Sequence, residues 1–309
     1  MGKFIKRIKV KKVIIAIIVV CVSTGIYSIV YVNLKNRQKK NNMIPLAHNR
    51  VRSYVEKRDG FYVGDLLKDK FDGKGLYKLN TGDQYSGRWK KGQPDGEGVL
   101  ELKNIGNYKG YFKNGIREGQ GTFTWIDGTI YQGEWSDDQI EGDGELTYKN
   151  GTIIQGSFEG NEVSNANLTT KDKKLLLTFT DGVISEGTYI AADGTKYSGP
   201  IDSGQFDGEN CQINYKNGDS YEGTLKANLK SGEGTYTWKK GPVYEGEWSN
   251  DQMDGEGIYY FTHDEDGKSL EGTFKKNKPE GEIKYYDGDD FYETQWNNGK
   301  CVKMEASDE

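Results

Sequence analysis

Residues 85–98 of the chain read YSGRWKKGQPDGEG. Tyr85, Gly87 and Trp89 alternate with polar residues, as in a β-strand whose successive side chains point to opposite faces of a sheet. The polar segment that follows contains Gly, Pro and Asp, which favour a turn. The Gly-Glu-Gly that ends the stretch then falls on a returning strand. The stretch therefore predicts one β-hairpin with aromatic residues and glycines on the same face.

The same pattern recurs with a period of 23 residues from residue 62 onward. Each copy opens with Tyr-x-Gly-x-aromatic and continues with Gly-x-Gly. A glycine leaves a hollow in which a ring can lie, so we expect the rings to cover bare backbone. The positions that define the best preserved copies are Tyr85, Gly87, Trp89, Gly96, Gly98, Tyr108, Gly110, Gly119, Gly121, Tyr131, Gly133, Trp135, Tyr221, Gly223, Gly232, Gly234, Tyr244, Gly246 and Trp248.

The repeat is less regular in two places. Residues 154–196 keep the opening motif only in part, and we interpret them as two degenerate copies. Later in the series Leu270 replaces the opening tyrosine and Thr294 replaces a glycine. We expect a bend or an insertion near residues 160–190, because the pattern is weakest there.

The repeats also predict how the hairpins are assembled. A lone two-stranded hairpin is marginally stable in water, so successive hairpins must stack on one another. About ten copies over residues 62–296 therefore predict an all-β fold, an elongated single-layer antiparallel sheet of stacked β-hairpins. The composition agrees, because hydrophobic residues make up only 34% of the chain, too few for a large conventional core. Residues 297–309 are expected to form a polar tail.

The motifs and the 23-residue period resemble the MORN (membrane occupation and recognition nexus) repeat. The resemblance covers residues 62–296. In that family the repeats occur in junctophilins, in plant phosphatidylinositol phosphate kinases and in a lysine methyltransferase, and are associated with membrane apposition, lipid contact and protein assembly. No kinase or methyltransferase domain is expected here, because the repeats occupy most of the chain.

The N-terminal segment has a different character. Residues 13–32 are an uncharged run of 20 residues, long enough for one transmembrane helix. Residues 1–12 carry six Lys or Arg against four just after the run, which predicts a cytoplasmic N-terminus and external repeats, in what we take to be a bacterial envelope. A cleaved signal peptide is the alternative, but no small-x-small cleavage site follows the run. We interpret residues 33–61 as a polar linker, with a short helix over residues 47–57.

The charge is divided unevenly along the chain. Residues 1–58 contain 14 Lys or Arg and one acidic residue, whereas residues 59–309 contain 28 basic and 46 acidic residues. The basic segment suits anionic headgroups near a membrane. The acidic remainder would be repelled by nucleic acid and by anionic lipid. We therefore expect no nucleic-acid partner.

The sequence offers little material for catalysis. Its only histidines are His48 and His263, and it has neither a Gly-x-Ser-x-Gly nor a Walker A motif. The acidic runs at residues 264–266 and 287–290 could hold Ca²⁺, but they lack EF-hand spacing and solvated turns explain them more simply. We expect no enzyme activity, no cofactor and no metal site.

Two cysteines lie within the repeats. Cys211 and Cys301 are separated by about four hairpins, which places them beyond the reach of a disulfide bond in a linear stack. We therefore expect both to remain unpaired within the chain.

Two tryptophans are candidates for contact with a ligand. Trp125 and Trp238 fall on second strands rather than in the opening motif. Core packing is the simpler interpretation for the aromatic residues in general, but planar rings can also stack on sugars. Cell-wall polysaccharide is therefore an alternative partner.

The sequence leads to a hypothesis of a non-catalytic, membrane-anchored scaffold that binds a protein partner at the cell envelope. Many weak contacts along the repeats would sum through avidity. Carbohydrate binding through exposed rings and lipid or membrane-apposition binding, as in other MORN proteins, are the alternatives. Terminal edge strands could also pair two chains into a homo-oligomer.

Overall fold

A computed structural model of the chain describes residues 44–46, 50–262 and 267–306. All regular secondary structure in this part of the chain is β-strand, and the strands pair antiparallel, most of them with the strand that follows in sequence. The prediction of an all-β, antiparallel fold of stacked hairpins is confirmed.

The strands fall into two compact units. The N-terminal unit contains the described residues up to Lys171 together with 179–183, and the C-terminal unit contains 172–178 together with those from Ile184 onward. The division therefore lies within the segment that the sequence identifies as degenerate.

The N-terminal unit begins with β1 to β12. Their bounds are β1 Ile44–Leu46, β2 Arg50–Lys57, β3 Gly60–Leu67, β4 Lys70–Leu79, β5 Gln84–Lys90, β6 Gln93–Leu102, β7 Gly106–Lys113, β8 Ile116–Trp125, β9 Ile130–Ser136, β10 Gln139–Thr147, β11 Ile153–Glu159 and β12 Glu162–Thr169. Strand β13, Leu175–Thr180, lies where the two units divide.

The C-terminal unit continues in the same manner. Its strands are β14 Val183–Ile190, β15 Lys196–Asp202, β16 Gln205–Phe206, β17 Gly208–Asn214, β18 Ser220–Lys226, β19 Leu229–Thr237, β20 Val243–Ser249, β21 Gln252–Tyr260, β22 Ser269–Lys275, β23 Lys278–Asp287, β24 Asp290–Asn297 and β25 Lys300–Ala306. Residue 183, the first of β14, belongs to the N-terminal unit.

Glycines of neighbouring strands lie directly opposite one another. Gly98 of β6 pairs with Gly110 of β7, which pairs in turn with Gly121 of β8. We call such a line of paired glycines a glycine row. In the N-terminal unit the row consists of Gly64, Gly75, Gly87, Gly98, Gly110, Gly121, Gly133, Gly144 and Gly156. In the C-terminal unit its longest stretch consists of Gly223, Gly234, Gly246, Gly257 and Gly272.

A tyrosine ring covers each pair of row glycines within a hairpin. The Tyr108 side chain is fully buried, and its hydroxyl donates a hydrogen bond to the main-chain carbonyl of Tyr111 at 3.1 Å. A Cβ added at Gly121 would come within 2.5 Å of the Tyr108 ring. Burial raises the pKa of the Tyr108 hydroxyl, so the ring remains neutral. The glycine is therefore required by the ring.

The rings also join one hairpin to the next. The Tyr108 ring lies edge-to-face with Phe112 of its own hairpin and with Trp135 of the following hairpin, with centroids 5.1 Å apart in both pairs. Tyr131 repeats the arrangement with Trp135 and Phe158, at 5.5 and 5.4 Å. Such geometry stabilises aromatic pairs beyond the burial of their area. We call this continuous series of rings the aromatic ladder.

Where the ladder lacks its tyrosine, the glycine row changes as well. Leu270 occupies the tyrosine position of β22, and Ile283 stands in the row opposite Gly272. Both side chains are buried, at 5% and 2% exposure. In β11, Ile154 takes the place of tyrosine, and Ala166 stands in the row opposite Gly156. A smaller ladder side chain is thus matched by a larger row side chain, as close packing requires.

Two predicted boundaries are wrong. Residues 50–57, assigned above to a linker with a short helix, form β2, which pairs with β3 over seven residues. Residues 300–306, assigned to a polar tail, form β25, which pairs with β24. Both strands lack the Tyr-x-Gly motif because each lies beside only one repeat hairpin.

The predicted basic segment, residues 1–12, and the predicted transmembrane helix, residues 13–32, lie outside the described residues. Among the residues that are described, no helix is long and apolar enough to cross a membrane.

We predict that Gly121→Ala lowers the free energy of unfolding by about 2 kcal/mol, because the added methyl group overlaps the Tyr108 ring in a close-packed site. Thr122→Ala, on the opposite face of the same strand, is the control and should change it by less than about 0.5 kcal/mol. Denaturant unfolding measures both values.

A double-mutant cycle tests the cause. Gly121→Ala should cost clearly less in a Tyr108→Leu background, as in the natural pair of Leu270 and Ile283. Equal costs in the two backgrounds would contradict the ring-over-glycine explanation.

Candidate functional site

The two faces of the sheet differ in what they leave accessible. In β7, Tyr108 and Phe112 are buried on the ladder face, whereas Lys109 and Tyr111 are exposed on the other. The outward residues are the variable positions of Tyr-x-Gly-x-aromatic and Gly-x-Gly. We call the side that they form the polar face. Since the ladder face is filled by the chain's own rings, the polar face is the surface available to a partner.

The N-terminal unit has an open groove of about 870 Å³ on its polar face. It crosses strands β6 to β9, and the backbone of three row glycines forms its floor. Its lining residues are Glu97, Gly98, Val99, Lys109, Gly110, Tyr111, Gly119, Gln120, Gly121, Thr122 and Gln132. The volume falls within the range of about 300–1,000 Å³ that small-molecule sites occupy.

The groove presents hydrogen-bonding groups that the protein does not use. Within the described residues, the side chains of Gln120, Gln132 and Lys109 have no hydrogen-bond or ion-pair partner. Tyr111 of β7 is 48% exposed, and Glu97 of β6 lies directly opposite it in the sheet. The groove therefore combines one accessible ring with free amide, ammonium and carboxylate groups.

The polar face of the C-terminal unit is acidic. Glu233 of β19 lies directly opposite Glu247 of β20, a like-charge pair that destabilises a sheet. We consider the two residues that flank the glycine-row position in each of β18 to β24, since their side chains point to the polar face. Among these residues, Lys284 is the only cation. The carboxylates at these positions are Glu222, Glu233, Glu245, Glu247, Glu256, Glu271, Glu282 and Glu293. We call this set the acidic face. Among the described residues, none of these carboxylates forms an ion pair.

Among the described residues, each unit buries a cation at the edge of its ladder. Arg117 and Lys230 are 3% and 8% exposed, at a hairpin position where other repeats place apolar residues such as Met253. The Arg117 guanidinium lies 4.1 Å from the Trp135 ring centroid, and the Lys230 ammonium lies 4.5 Å from that of Trp248. Both cations therefore interact with ladder rings.

The two cations differ in their hydrogen bonds. Arg117 donates through Nε to Asp138 Oδ1 at 3.0 Å and through Nη2 to the Asp138 carbonyl at 2.6 Å. Asp138 also accepts a bond from the Arg117 backbone N–H at 2.8 Å, and Asp251, its counterpart, accepts the equivalent bond from the Lys230 backbone N–H at 2.9 Å. Only Arg117 adds bonds from its side chain. Burial lowers the pKa of the Lys230 amine, and Asp251 opposes that shift. The loss of hydration on burial is thus less well compensated for the Lys230 charge than for the Arg117 charge.

The predicted ligand-facing tryptophans do not form an exposed platform. Trp125 is 8% exposed and packs 4.6 Å from Phe123, so its assignment as a ligand-facing candidate is wrong. Trp238 is half-buried, with its ring 4.6 Å from Tyr236 and 5.5 Å from Tyr259. Both tryptophans share strand parity with the row glycines, which turns them towards the ladder face. The alternation in the sequence contained this information.

The remaining chemically active residues form no site in the part of the chain that the structure describes. His48, His263 and residues 264–266 lie outside the described part of the chain. Among the described residues, no group of three or more metal-ligating side chains occurs. Residues 287–290 form the turn between β23 and β24. Cys211 is buried and Cys301 is exposed, and both are free.

The repeat pattern was compared with known protein families. The model described as MORN repeat matches residues 62–84, 85–104, 108–130, 131–153, 221–243, 244–262 and 271–289. The chain carries MORN repeats. Six of the seven matched MORN repeats contain a tyrosine whose ring belongs to the ladder, and Leu270 adjoins the seventh. A comparison with curated proteins gives no match.

The structure shows hairpins in the region between the fourth and fifth matched MORN repeats as well. Strands β11 to β17 occupy this region, where Ile154 and Ala166 replace the tyrosine and glycine. The residues that define the MORN repeat are structural, whereas Tyr111 and the acidic face occupy its variable positions. Sequence reasoning passed over these positions because they carry no motif.

We predict that Lys230→Met raises the free energy of unfolding by about 1 kcal/mol, because it removes a poorly compensated buried charge. Arg117→Met, the matched control in the other unit, should lower it by about 2 kcal/mol, because it removes two charge-assisted hydrogen bonds.

The gain from Lys230→Met should also depend on pH. With a lowered pKa in the fold, Lys230 binds fewer protons there than in the unfolded chain, so wild-type stability rises from the folded pKa towards the unperturbed value of 10.5. The difference between Lys230→Met and wild type should therefore shrink over that window. A difference that stays constant or grows in denaturant unfolding at increasing pH would contradict this account.

Proposed function

We propose that the protein is a non-catalytic, membrane-anchored scaffold that binds a basic protein partner through the acidic face of its C-terminal unit. The presence of MORN repeats supports a binding role. The observation that carries the proposal is the recurrence of an outward carboxylate on successive strands, such as Glu245 on β20 and Glu256 on β21.

The arrangement suits a multivalent contact. Neighbouring strands are about 4.8 Å apart, so carboxylates on successive strands can meet successive basic groups of one partner chain. A single exposed ion pair contributes at most about 1 kcal/mol, but several held on one rigid sheet act together. The opposed Glu233 and Glu247 would also lose their mutual repulsion when a cation lies between them.

The test uses a synthetic Lys- and Arg-rich peptide and the full-length chain. We predict that the triple variant Glu245→Gln, Glu247→Gln, Glu256→Gln binds the peptide about tenfold more weakly than wild type. Binding by wild type should weaken as salt is raised.

The matched control removes three carboxylates from the polar face of the N-terminal unit, with Glu134→Gln, Asp143→Asn and Glu145→Gln. This variant loses the same charge, so a general electrostatic effect would weaken both variants equally. Equal weakening, or no binding by wild type, would refute the acidic face as the docking surface. Calorimetric titration measures the affinities.

The proposed location rests on the uncharged run at residues 13–32 and the basic residues before it. An anchor there, with the N-terminus in the cytoplasm, would place the MORN repeats on the external side of the membrane. On intact cells, added protease should then digest the repeats and leave an N-terminal tag intact. Protected repeats would invert this topology and make the protein a cytoplasmic platform.

Lipid binding is the less favoured function. The surplus of acidic residues after residue 58 would repel anionic headgroups.

A further inference from the structure

A separate surface in the N-terminal unit has a different chemistry from the acidic face. The groove over β6 to β9 is lined by one carboxylate, Glu97, and one ammonium group, Lys109, so its formal charge is zero. Its other functional side chains are neutral and include the amides Gln120 and Gln132. A charged ligand would therefore gain little there.

The groove is also poorly suited to a polypeptide. The backbone N–H and C=O groups of β6 to β9 already pair with one another between the strands, so a peptide cannot join this face as an added strand. Val99 is the only aliphatic side chain in the lining, which leaves no apolar pocket for an anchoring residue.

Tyr111 provides the directional feature of the groove. Its ring is 48% exposed, with Glu97 across the strand pair on β6 and Gln120 on β8. A row-glycine floor and the small residue Gly119 leave space beside the ring. The space above Gly119 is open, because a Cβ added there would have no neighbour within 4 Å except the Tyr111 Cβ. A flat ligand can thus lie on the ring while its edge groups reach a carboxylate and an amide.

From this geometry we propose that the groove binds a neutral glycan whose sugar ring stacks on Tyr111. The flat faces of a β-linked pyranose are lined by C–H groups, and its edge carries hydroxyls. The C–H face packs on the aromatic ring, while Glu97 accepts hydrogen bonds from hydroxyls and Gln120 can donate or accept them. The groove crosses three strand spacings, about 14 Å, so it can hold more than one sugar unit.

This site differs from the one suggested by the sequence. Trp125 and Trp238 pack in the ladder, and the ring that is available belongs to a variable position of a MORN repeat. The proposal concerns the N-terminal unit and is independent of the basic partner proposed for the acidic face.

The test is calorimetric titration of the full-length chain with two neutral tetrasaccharides, cellotetraose and N,N′,N″,N‴-tetraacetylchitotetraose. We expect wild type to bind at least one, and Tyr111→Ala to bind it about tenfold more weakly because the stacking surface is lost. Tyr111→Phe, which keeps the ring, should retain binding within about twofold.

Tyr54→Ala is the matched control, since Tyr54 is 52% exposed in the same unit but lies on β2, away from the groove. It should bind the sugar as wild type does. No binding of either sugar by wild type, or equal binding by Tyr111→Ala, would overturn the proposal. Basic-peptide binding by Tyr111→Ala reports separately on the acidic face, and thermal unfolding of each variant confirms that the fold is intact.

Discussion

In six of the seven matched MORN repeats, a tyrosine ring lies against backbone that carries no side chain, and the hairpin depends on this contact. The ring of Tyr108 illustrates the constraint, because its hydroxyl caps the carbonyl of Tyr111 while its face occupies the space above Gly121. The ring also lies edge-to-face with Phe112 on its own hairpin and with Trp135 on the next. A single interaction therefore closes the hairpin and attaches its neighbour, which allows a thin sheet to bury apolar area without a second layer.

This constraint determines where binding can take place. The residues that define the MORN repeat pack in the ladder and the glycine row, so they do not face a partner. The intervening residues lie outside the ladder and the glycine row, and they differ between the units. The N-terminal unit uses them for a neutral groove around Tyr111, and the C-terminal unit uses them for carboxylates such as Glu245 and Glu247. One repeat can thus present two different surfaces.

The sequence predicts the ladder well because the pairing of large and small residues is local and periodic. Tyr108 and Gly121 have equivalents at the same repeat positions along the chain. The exceptions Leu270 and Ile283 occupy these two positions in a later repeat. Strands β2 and β25 were missed because a strand at the end of the series pairs through its backbone and needs no motif.

The candidate site was harder to predict, for a related reason. Tyr111 is one aromatic residue among many in the sequence, and only the strand parity separates it from the buried rings. Applied strictly, that parity would also have turned Trp125 and Trp238 inward. The shape of the groove depends on the side chains of four adjacent strands, which no single repeat contains.

The central claim is that the ladder face is closed and the polar face is open, and nitration of tyrosines tests it directly. Full-length protein would be treated with tetranitromethane under native and denaturing conditions, and the modified residues would be mapped by mass spectrometry. The account predicts that Tyr111 is nitrated in the native protein while Tyr85, Tyr108 and Tyr131 are modified only after unfolding. Native nitration of these ladder tyrosines at the rate of Tyr111 would contradict it.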